Sequence, residues 1–231
     1  MVTEVRILGG FELRSETSVI PLPMSAQRVI AFLAIQRGPV ERAYVAGTLW
    51  CDSSEERASA SLRTVLWRLP APARALLRLR GTQMALSDPT GVDLHRTSDR
   101  ARRLVQGGQP ATGDLTALSL AGELLPDWYD DWLLIERERF RQLRLHALES
   151  LCERLAAEGR FGEAIEAGTA AVAVEPLRES AHRALIRAHV AEGNPGEALR
   201  EYRLYSRLLR DQLGLEPSPL ISRLVPALGI E

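Results

Sequence analysis

The sequence predicts two domains of different class, an α+β domain followed by a domain made only of helices. Its 231 residues exceed the roughly 100–200 that a single domain usually takes. Alternating apolar runs typical of strands occur before residue 92, whereas after it apolar residues recur at helical spacing. The turn formers Asp88-Pro89-Thr90-Gly91 separate these two patterns, so we expect domains over residues 1–91 and 92–231.

The first domain begins with strands and continues with three helices. Apolar residues alternate over residues 5–13, and Val19–Leu22 predicts a short edge strand limited by its prolines. The predicted helices cover Gln27–Gln36, Glu41–Trp50 and a third stretch ending at Leu69 before Pro70. Ser53-x-x-Glu56 is the pattern of a capping box, which predicts the start of the third helix.

The third helix and the segment after it indicate the fold. Its apolar stripe consists of Ala58, Leu62, Val65, Leu66 and Leu69. The opposite side carries Arg57, Ala60, Arg63, Thr64, Trp67 and Arg68. Leu76–Arg80 and Gln83–Leu86, joined by Gly81-Thr82, predict a β-hairpin. Strands, three helices and a terminal hairpin are the order of a winged helix-turn-helix, which presents its third helix to the major groove of DNA.

Charge supports a nucleic-acid partner for this domain. The net charge is −1, but residues 57–80 contain six arginines and no acid. A basic stripe of this kind is the electrostatic footprint of phosphate binding, although many charge runs only solvate a surface. The guanidinium group binds both phosphate and the O6 and N7 atoms of guanine. We therefore expect DNA contacts from Arg42, Arg57, Arg63, Thr64, Arg68, Arg78 and Arg80.

Other polar and aromatic residues favour structural roles. We expect Trp67 to pack against the hairpin, and Asp127 to cap a long helix rather than to bind a metal with Asp130 and Asp131. His182 and His189 are two helical turns apart, about 10 Å along the axis, too far to share a metal ion. The sequence has no phosphate-binding glycine loop, nucleophile elbow or paired-cysteine motif, so we expect no enzyme, no metal and no cofactor.

The second domain carries an internal repeat. Helical spacing predicts helices over 93–106, 127–158, 162–174, 178–192 and 196–213. Ala157-Glu-Gly-x-x-Gly-Glu-Ala-Ile165 recurs as Ala191-Glu-Gly-x-x-Gly-Glu-Ala-Leu199, an offset of 34 residues. This is the period of a tetratricopeptide helix pair, so the sequence predicts an all-α, tetratricopeptide-like repeat domain.

The sequence shows no pattern typical of a membrane-spanning or secreted protein. No apolar run approaches the roughly 18 residues that indicate a membrane span. The amino terminus has no basic segment of the kind that opens a signal peptide. Cys51 and Cys152 make no metal-binding spacing. We expect a reduced, cytoplasmic protein that does not enter the membrane.

Several short motifs occur along the chain in a fixed order. The first part contains Val40-Glu-Arg, Thr48-Leu-Trp50 and the stretch from Arg57 to Leu69, which are similar to an OmpR-type winged helix. The second part contains Val92-Asp-Leu-His95, Leu125-Pro-Asp-Trp-Tyr-Asp-Asp-Trp132, Glu175-Pro-Leu-Arg-Glu179, Glu192-Gly-Asn194 and Leu213-Gly-Leu-Glu-Pro217. Through these motifs the chain resembles the SARP family, the Streptomyces antibiotic regulatory proteins, and their relatives with a bacterial transcriptional activator domain. The resemblance implies an activator that binds direct repeats at promoters and engages RNA polymerase.

Two alternatives stay open beside a sequence-specific activator. One is a repeat-type scaffold whose winged helix contacts proteins instead of DNA. The other is a ligand sensor with a pocket lined by Trp128, Tyr129 and Trp132, although aromatic residues at this spacing are more commonly core. The expected partners are double-stranded DNA, RNA polymerase and a second copy of the chain as a homodimer.

Overall fold

The computed structural model describes residues 4–15, 18–87 and 90–224. They form two compact units. The N-terminal unit comprises residues up to Arg96 together with Gly122–Glu138, and the helical unit comprises Thr97–Ala121 together with residues from Arg139 onward. The domain boundary expected after residue 91 stays a prediction, and two of the turn formers on which it rests, Asp88 and Pro89, lie outside the described residues.

The N-terminal unit combines small sheets with helices. In chain order its first elements are β1 (Glu4–Arg6), β2 (Glu12–Arg14), α1 (Met24–Ile35), β3 (Val40–Glu41), α2 (Arg42–Leu49), α3 (Glu55–Arg68), α4 (Ala71–Arg74), β4 (Leu77–Arg80), β5 (Gln83–Leu86) and β6 (Gly91–Val92). One sheet has the order β2-β1-β6, in which β2 is antiparallel and β6 parallel to β1. The other has the order β3-β5-β4 and is antiparallel throughout.

Several predicted elements of this unit differ from what the sequence indicated. Helix α1 begins at Met24, three residues before the predicted start at Gln27. Val19–Leu22 is not a strand, since Val19 makes only an isolated bridge to Arg14. The two prolines in and after this stretch lack the N–H groups that a longer ladder needs. Helix α3 starts at Glu55 after Ser54, and the Ser54 side chain makes no capping hydrogen bond. The predicted capping box at Ser53 is therefore wrong by one residue in position and is not formed.

The segment 122–138 belongs to the N-terminal unit. The Leu125 N–H donates to the Ile7 carbonyl oxygen at 2.9 Å, so this segment pairs with the residues that directly follow β1, the central strand of the first sheet. Trp128 is buried and stacks on Phe11, with ring centroids 6.1 Å apart. Trp132 packs edge-on against Phe32 at 5.2 Å. Trp128 and Trp132 are therefore packing residues, as the core interpretation expected. Tyr129, the third member of that group, is 91% exposed, so the core interpretation is wrong for it.

Asp93 anchors the start of the next helix, α5 (Asp93–Val105). Its carboxylate accepts the backbone N–H groups of Ile7 and Leu8 at 3.0–3.1 Å and that of Leu94 at 2.7 Å. Burial raises the pKa of Asp93, although these N–H donors favour its charged form. The bonds fix the beginning of α5 beside β1.

The helical unit contains the rest of α5, the part of α7 from Arg139 onward and the other helices that follow α5. The helices after α5 are α6 (Asp114–Ser119), α7 (Asp131–Ala157), α8 (Phe161–Val174), α9 (Glu179–Glu192), α10 (Pro195–Leu213) and α11 (Pro219–Ser222). The short α6 and α11 were not predicted. Helix α7 begins at Asp131, so the prediction that Asp127 caps it is wrong, and Asp131 occupies its first turn. Among the described residues, no helix is both long and apolar enough to cross a bilayer.

The 34-residue repeat has a structural counterpart. In each copy a glycine with positive φ follows a helix, Gly159 at +75° and Gly193 at +90°. Each is succeeded by a new helix whose first turn buries an alanine completely, Ala164 in α8 and Ala198 in α10. The two motif copies therefore occupy equivalent turns between consecutive helices, which explains why the same residue types recur.

Candidate nucleic-acid interface

Helix α3 has one buried and one exposed face. Ala58, Leu62 and Leu66 are buried, as is Leu69 just after the helix, and Val65 is half-buried. This confirms the predicted apolar stripe. Because the stripe is held against the core of the N-terminal unit, the opposite face of α3 points to solvent along its whole length.

The predicted DNA-contacting residues of α3 all lie on accessible surface. Arg57, Arg63, Thr64 and Arg68 are exposed. Within the described residues, none of these three arginines makes an ion pair or a side-chain hydrogen bond. At about 100° per residue, Arg57 and Arg68 lie within about 20° of each other, and Arg63 lies on the far flank. The arginines therefore border a strip formed by Ala60, Thr64 and Trp67.

The Thr64 hydroxyl is engaged within the helix. It donates to the Ala60 carbonyl oxygen at 2.9 Å, one turn earlier. A hydroxyl group has a single hydrogen to donate, so the outward surface of Thr64 is its methyl group and one oxygen acceptor.

Trp67 is 78% exposed, so the prediction that it packs against the hairpin is wrong. Its helical position explains this, because it lies seven residues after Ala60, on the side opposite Leu62 and Leu66. The sequence placed Trp67 on this side of α3 but assigned it to packing. The structure leaves its side chain exposed beside the arginines and Thr64.

Arg74 belongs to the basic stripe but has a structural partner. Its guanidinium donates to the carbonyl oxygens of Trp67 at 2.7 Å and Leu69 at 3.0 Å. These carbonyl groups lie at the carboxyl end of α3, where no helical N–H group reaches them. Arg74 therefore caps α3, a role that the spacing of charges alone did not distinguish.

The hairpin brings the remaining predicted arginines together. Arg78 pairs with Ala85 and Arg80 with Gln83 across β4 and β5, so both arginines project from one face of the hairpin. Arg80 is exposed and Arg78 half-buried. The predicted turn at Gly81-Thr82 is confirmed, with Gly81 at φ +56°.

Arg42 lies beside the same turn. Its backbone N–H donates to the Thr82 carbonyl oxygen at 2.8 Å, because β3 pairs with β5 immediately before α2 begins. Glu41 is also here and accepts a hydrogen bond from the Gln83 amide at 2.9 Å. The strand β3, which the sequence did not predict, is what brings Arg42 to the hairpin.

Other candidate sites have structural explanations. Asp130 forms an ion pair with Arg28. His182 is buried, and its ring nitrogens contact a Glu201 carboxylate oxygen at 2.6 Å and the Pro176 carbonyl oxygen at 2.8 Å. In the ranges that the structure describes, no three His, Cys, Asp or Glu side chains converge as metal ligands.

Residues 92–228 match the family described as the bacterial transcriptional activator domain. The chain belongs to this family. A curated relative, the transcriptional regulator RedD of Streptomyces coelicolor, is 30% identical over 95% of the chain and 68% of its own length. Its similarity to RedD and to the regulatory protein AfsR places the chain among the SARP regulators.

The relatives differ in length. AfsR of Streptomyces coelicolor is 30% identical over 76% of the chain, which spans 19% of AfsR. AfsR of Streptomyces griseus is 27% identical over 95% of the chain, which spans 23% of it. Among solved structures, Mycobacterium tuberculosis EmbR in complex with a low affinity phosphopeptide superimposes with a TM-score of 0.62 at 22% identity, covering 98% of the chain and 64% of EmbR. The chain therefore shares the fold of EmbR over nearly the whole length of the chain.

Proposed function

We propose that the chain is a sequence-specific DNA-binding transcriptional activator. In this proposal residues 1–91 are a winged helix-turn-helix domain, α3 is its recognition helix, and the β4–β5 hairpin is its wing. The observation that carries the proposal is the exposed face of α3, where Arg57, Arg63 and Arg68 have no ionic partner among the described residues. Exposed arginines without acidic neighbours attract the phosphates of DNA.

The charge distribution supports this assignment of roles. Residues 1–91 contain 11 arginines and 8 acids, a net charge of +3, whereas residues 92–231 contain 18 arginines and 22 acids, a net charge of −4. An acidic domain is repelled by DNA. The first domain therefore holds the promoter, and the second is available to proteins.

Within the first domain, α3 and the hairpin have different tasks. The major groove is wide enough to admit a helix, and α3 presents side chains that suit both guanine and thymine. Arg80 and Arg78 on the hairpin, with Arg42 beside its turn, contact phosphates. These contacts fix the position of the protein on DNA without reading its sequence.

The second domain, residues 92–231, acts as a tetratricopeptide-like binding module. Arrays of helix pairs present extended surfaces to partner proteins. We assign RNA polymerase and a second copy of the chain as its partners. Joining two copies makes the binding of two adjacent DNA repeats cooperative through effective concentration, without new base contacts.

The test is the binding of the purified chain to a labelled duplex of mixed sequence, measured by fluorescence anisotropy across a salt series. We expect the logarithm of the association constant to fall linearly with the logarithm of the salt concentration. The slope should be about −0.9 for each phosphate neutralised. A triple variant, Arg57→Ala, Arg63→Ala and Arg68→Ala, should lose most of the affinity. Arg14→Ala is the matched control, because Arg14 is an arginine of β2 that pairs with Glu12.

The same experiment separates the alternative. A scaffold whose first domain contacts proteins would leave the duplex unbound at low salt, and the triple variant would behave like the control. That result would overturn the proposal.

A further inference from the structure

We infer that the exposed face of α3 reads the methyl groups of thymine, through Thr64 and Trp67. This inference rests on the proposed function and adds the chemistry that the helix recognises. The C5-methyl group of thymine is the apolar feature that base pairs present in the major groove. A surface that recognises it must be apolar, accessible and placed where the helix meets the bases.

Thr64 has these properties because of its intrahelical hydrogen bond. The bond to the Ala60 carbonyl oxygen directs the hydroxyl hydrogen back along α3. The exposed side chain then presents its methyl group and one oxygen acceptor outward, and the methyl group is its apolar part. Thr64 cannot donate a hydrogen bond to a base edge without breaking the bond to Ala60.

Trp67 continues the same surface. It follows Thr64 by three residues and Ala60 by seven, so the three side chains share one face of α3. An indole group that is 78% exposed presents a large apolar area to water, which is unfavourable unless a partner covers it. Ala60, Thr64 and Trp67 together form an apolar strip, which we call the methyl-reading strip.

Charge identifies DNA as the partner that covers this strip. Arg57 and Arg68 lie along one side of it and Arg63 along the other, and all three are exposed. The acids of α3, Glu55 and Glu56, are confined to its first turn. An apolar strip between rows of unpaired arginines matches a groove that has methyl groups on its floor and phosphates along both edges.

The test starts from duplexes selected from a random pool by the full chain. Each thymine of the selected duplex is then replaced singly by deoxyuridine, which removes the methyl group and keeps the hydrogen-bonding edge. We expect at least two positions at which affinity falls about fourfold, the equivalent of burying one methyl group. Deoxyuridine at positions outside the α3 contact should leave affinity unchanged.

Two substitutions of Thr64 separate the methyl group from the hydroxyl. Thr64→Val keeps a methyl group and removes the hydroxyl, and it should retain the preference for thymine. Thr64→Ser keeps the hydroxyl and its bond to Ala60, and it should bind thymine and deoxyuridine equally at one position. Trp67→Ala should remove the preference at another position. Both sites are exposed, and circular dichroism checks that each of the three variants is folded.

The outcomes distinguish this inference from the proposed function. If the chain selects a duplex but deoxyuridine has no effect at any position, or if Thr64→Ser keeps the preference that Thr64→Val loses, the methyl-reading strip is wrong and DNA binding stands. If the chain binds no duplex, the proposed function itself fails.

Discussion

Arg28 in α1 forms an ion pair with Asp130, which follows it by 102 positions in the chain. Both side chains are largely shielded from solvent, at 29% and 18% exposure. Trp132, two residues later, packs against Phe32 of the same helix. Helix α1 packs against α2 and α3. The segment 122–138 therefore stabilises the helices that carry the candidate interface.

Replacing Asp130 by Asn should therefore lower stability. The Arg28 guanidinium would lose a charged acceptor in a shielded position, and we expect the free energy of unfolding of the N-terminal unit to fall by roughly 1–3 kcal/mol. Chemical denaturation followed by tryptophan fluorescence measures this change. Asp127→Asn, at an exposed position nearby, is the control and should change stability by less than about 0.5 kcal/mol. Equal effects of the two substitutions would contradict this role of the ion pair.

Asp114 should make the helical unit sensitive to acid. Burial by itself raises the pKa of this carboxyl, but hydrogen bonds and charge from Arg103, the Ala111 N–H and Arg100 outweigh burial and hold the pKa below its usual value of 3.8. A carboxyl with a lowered pKa in the folded state adds stability above its unfolded pKa, and this stability is lost as pH falls through the folded pKa.

Asp114→Asn should thus destabilise the protein by roughly 1–3 kcal/mol near pH 7, with the deficit shrinking below about pH 4. Denaturation midpoints measured between pH 7 and pH 3 test the trend. Asp99→Asn is the control, because the exposed pair of Asp99 with Arg102 is worth little. A deficit that does not depend on pH would show that the charge of Asp114 is not what stabilises the unit.

The two cysteines should differ sharply in reactivity. Cys51 is exposed, whereas Cys152 is buried in the core of the helical unit. Burial, assisted by the charges of Glu153 and Glu149, raises the pKa of the Cys152 thiol to about 12. Because the thiolate is the reactive form, a thiol reagent at pH 8 should label Cys51 quickly and Cys152 only after unfolding. Mass spectrometry of the labelled protein identifies the sites, and equal labelling of both in the folded state would contradict the packing of α7 against α8.

Arg63 and Arg80 should affect DNA binding in different ways. Arg63→Ala should cost about 1–3 kcal/mol on the selected duplex and much less on other sequences, because α3 reads bases. Arg80→Ala should weaken binding to all duplexes alike and reduce the salt slope by about one, because the hairpin contacts phosphate. Titrations on the selected duplex and on a shuffled one, each at several salt concentrations, separate the two. If Arg63→Ala lowered the affinity for both duplexes equally, α3 would not be the element that recognises bases.

Periodicity revealed the elements that have a regular apolar pattern. The two faces of α3, the β4–β5 hairpin and the 34-residue repeat follow from local spacing, and the structure has them in the predicted places. Local periodicity does not predict contacts between parts of the chain that are distant in sequence. The strand β3 has only two residues, and the pairing of Leu125 with Ile7 depends on no local pattern.

The candidate site shows the same division. The sequence indicated which side of α3 carries the arginines, because helical geometry fixes this. It did not distinguish Arg74, which caps α3, from the exposed arginines, because that difference lies in two hydrogen bonds to carbonyl groups. It also assigned Trp67 to packing, since a large aromatic residue is more commonly buried than 78% exposed.

The most direct test of the account is the ratio of dissociation constants of the full chain for its selected duplex and for a shuffled duplex of the same composition, at about 0.15 M salt. The affinity of a protein for its specific DNA site exceeds its affinity for non-specific DNA by about a thousandfold or more. We predict a ratio of this order, which Arg63→Ala reduces and Arg14→Ala leaves unchanged. A ratio near one at every salt concentration would contradict the claim that this chain reads DNA sequence through α3.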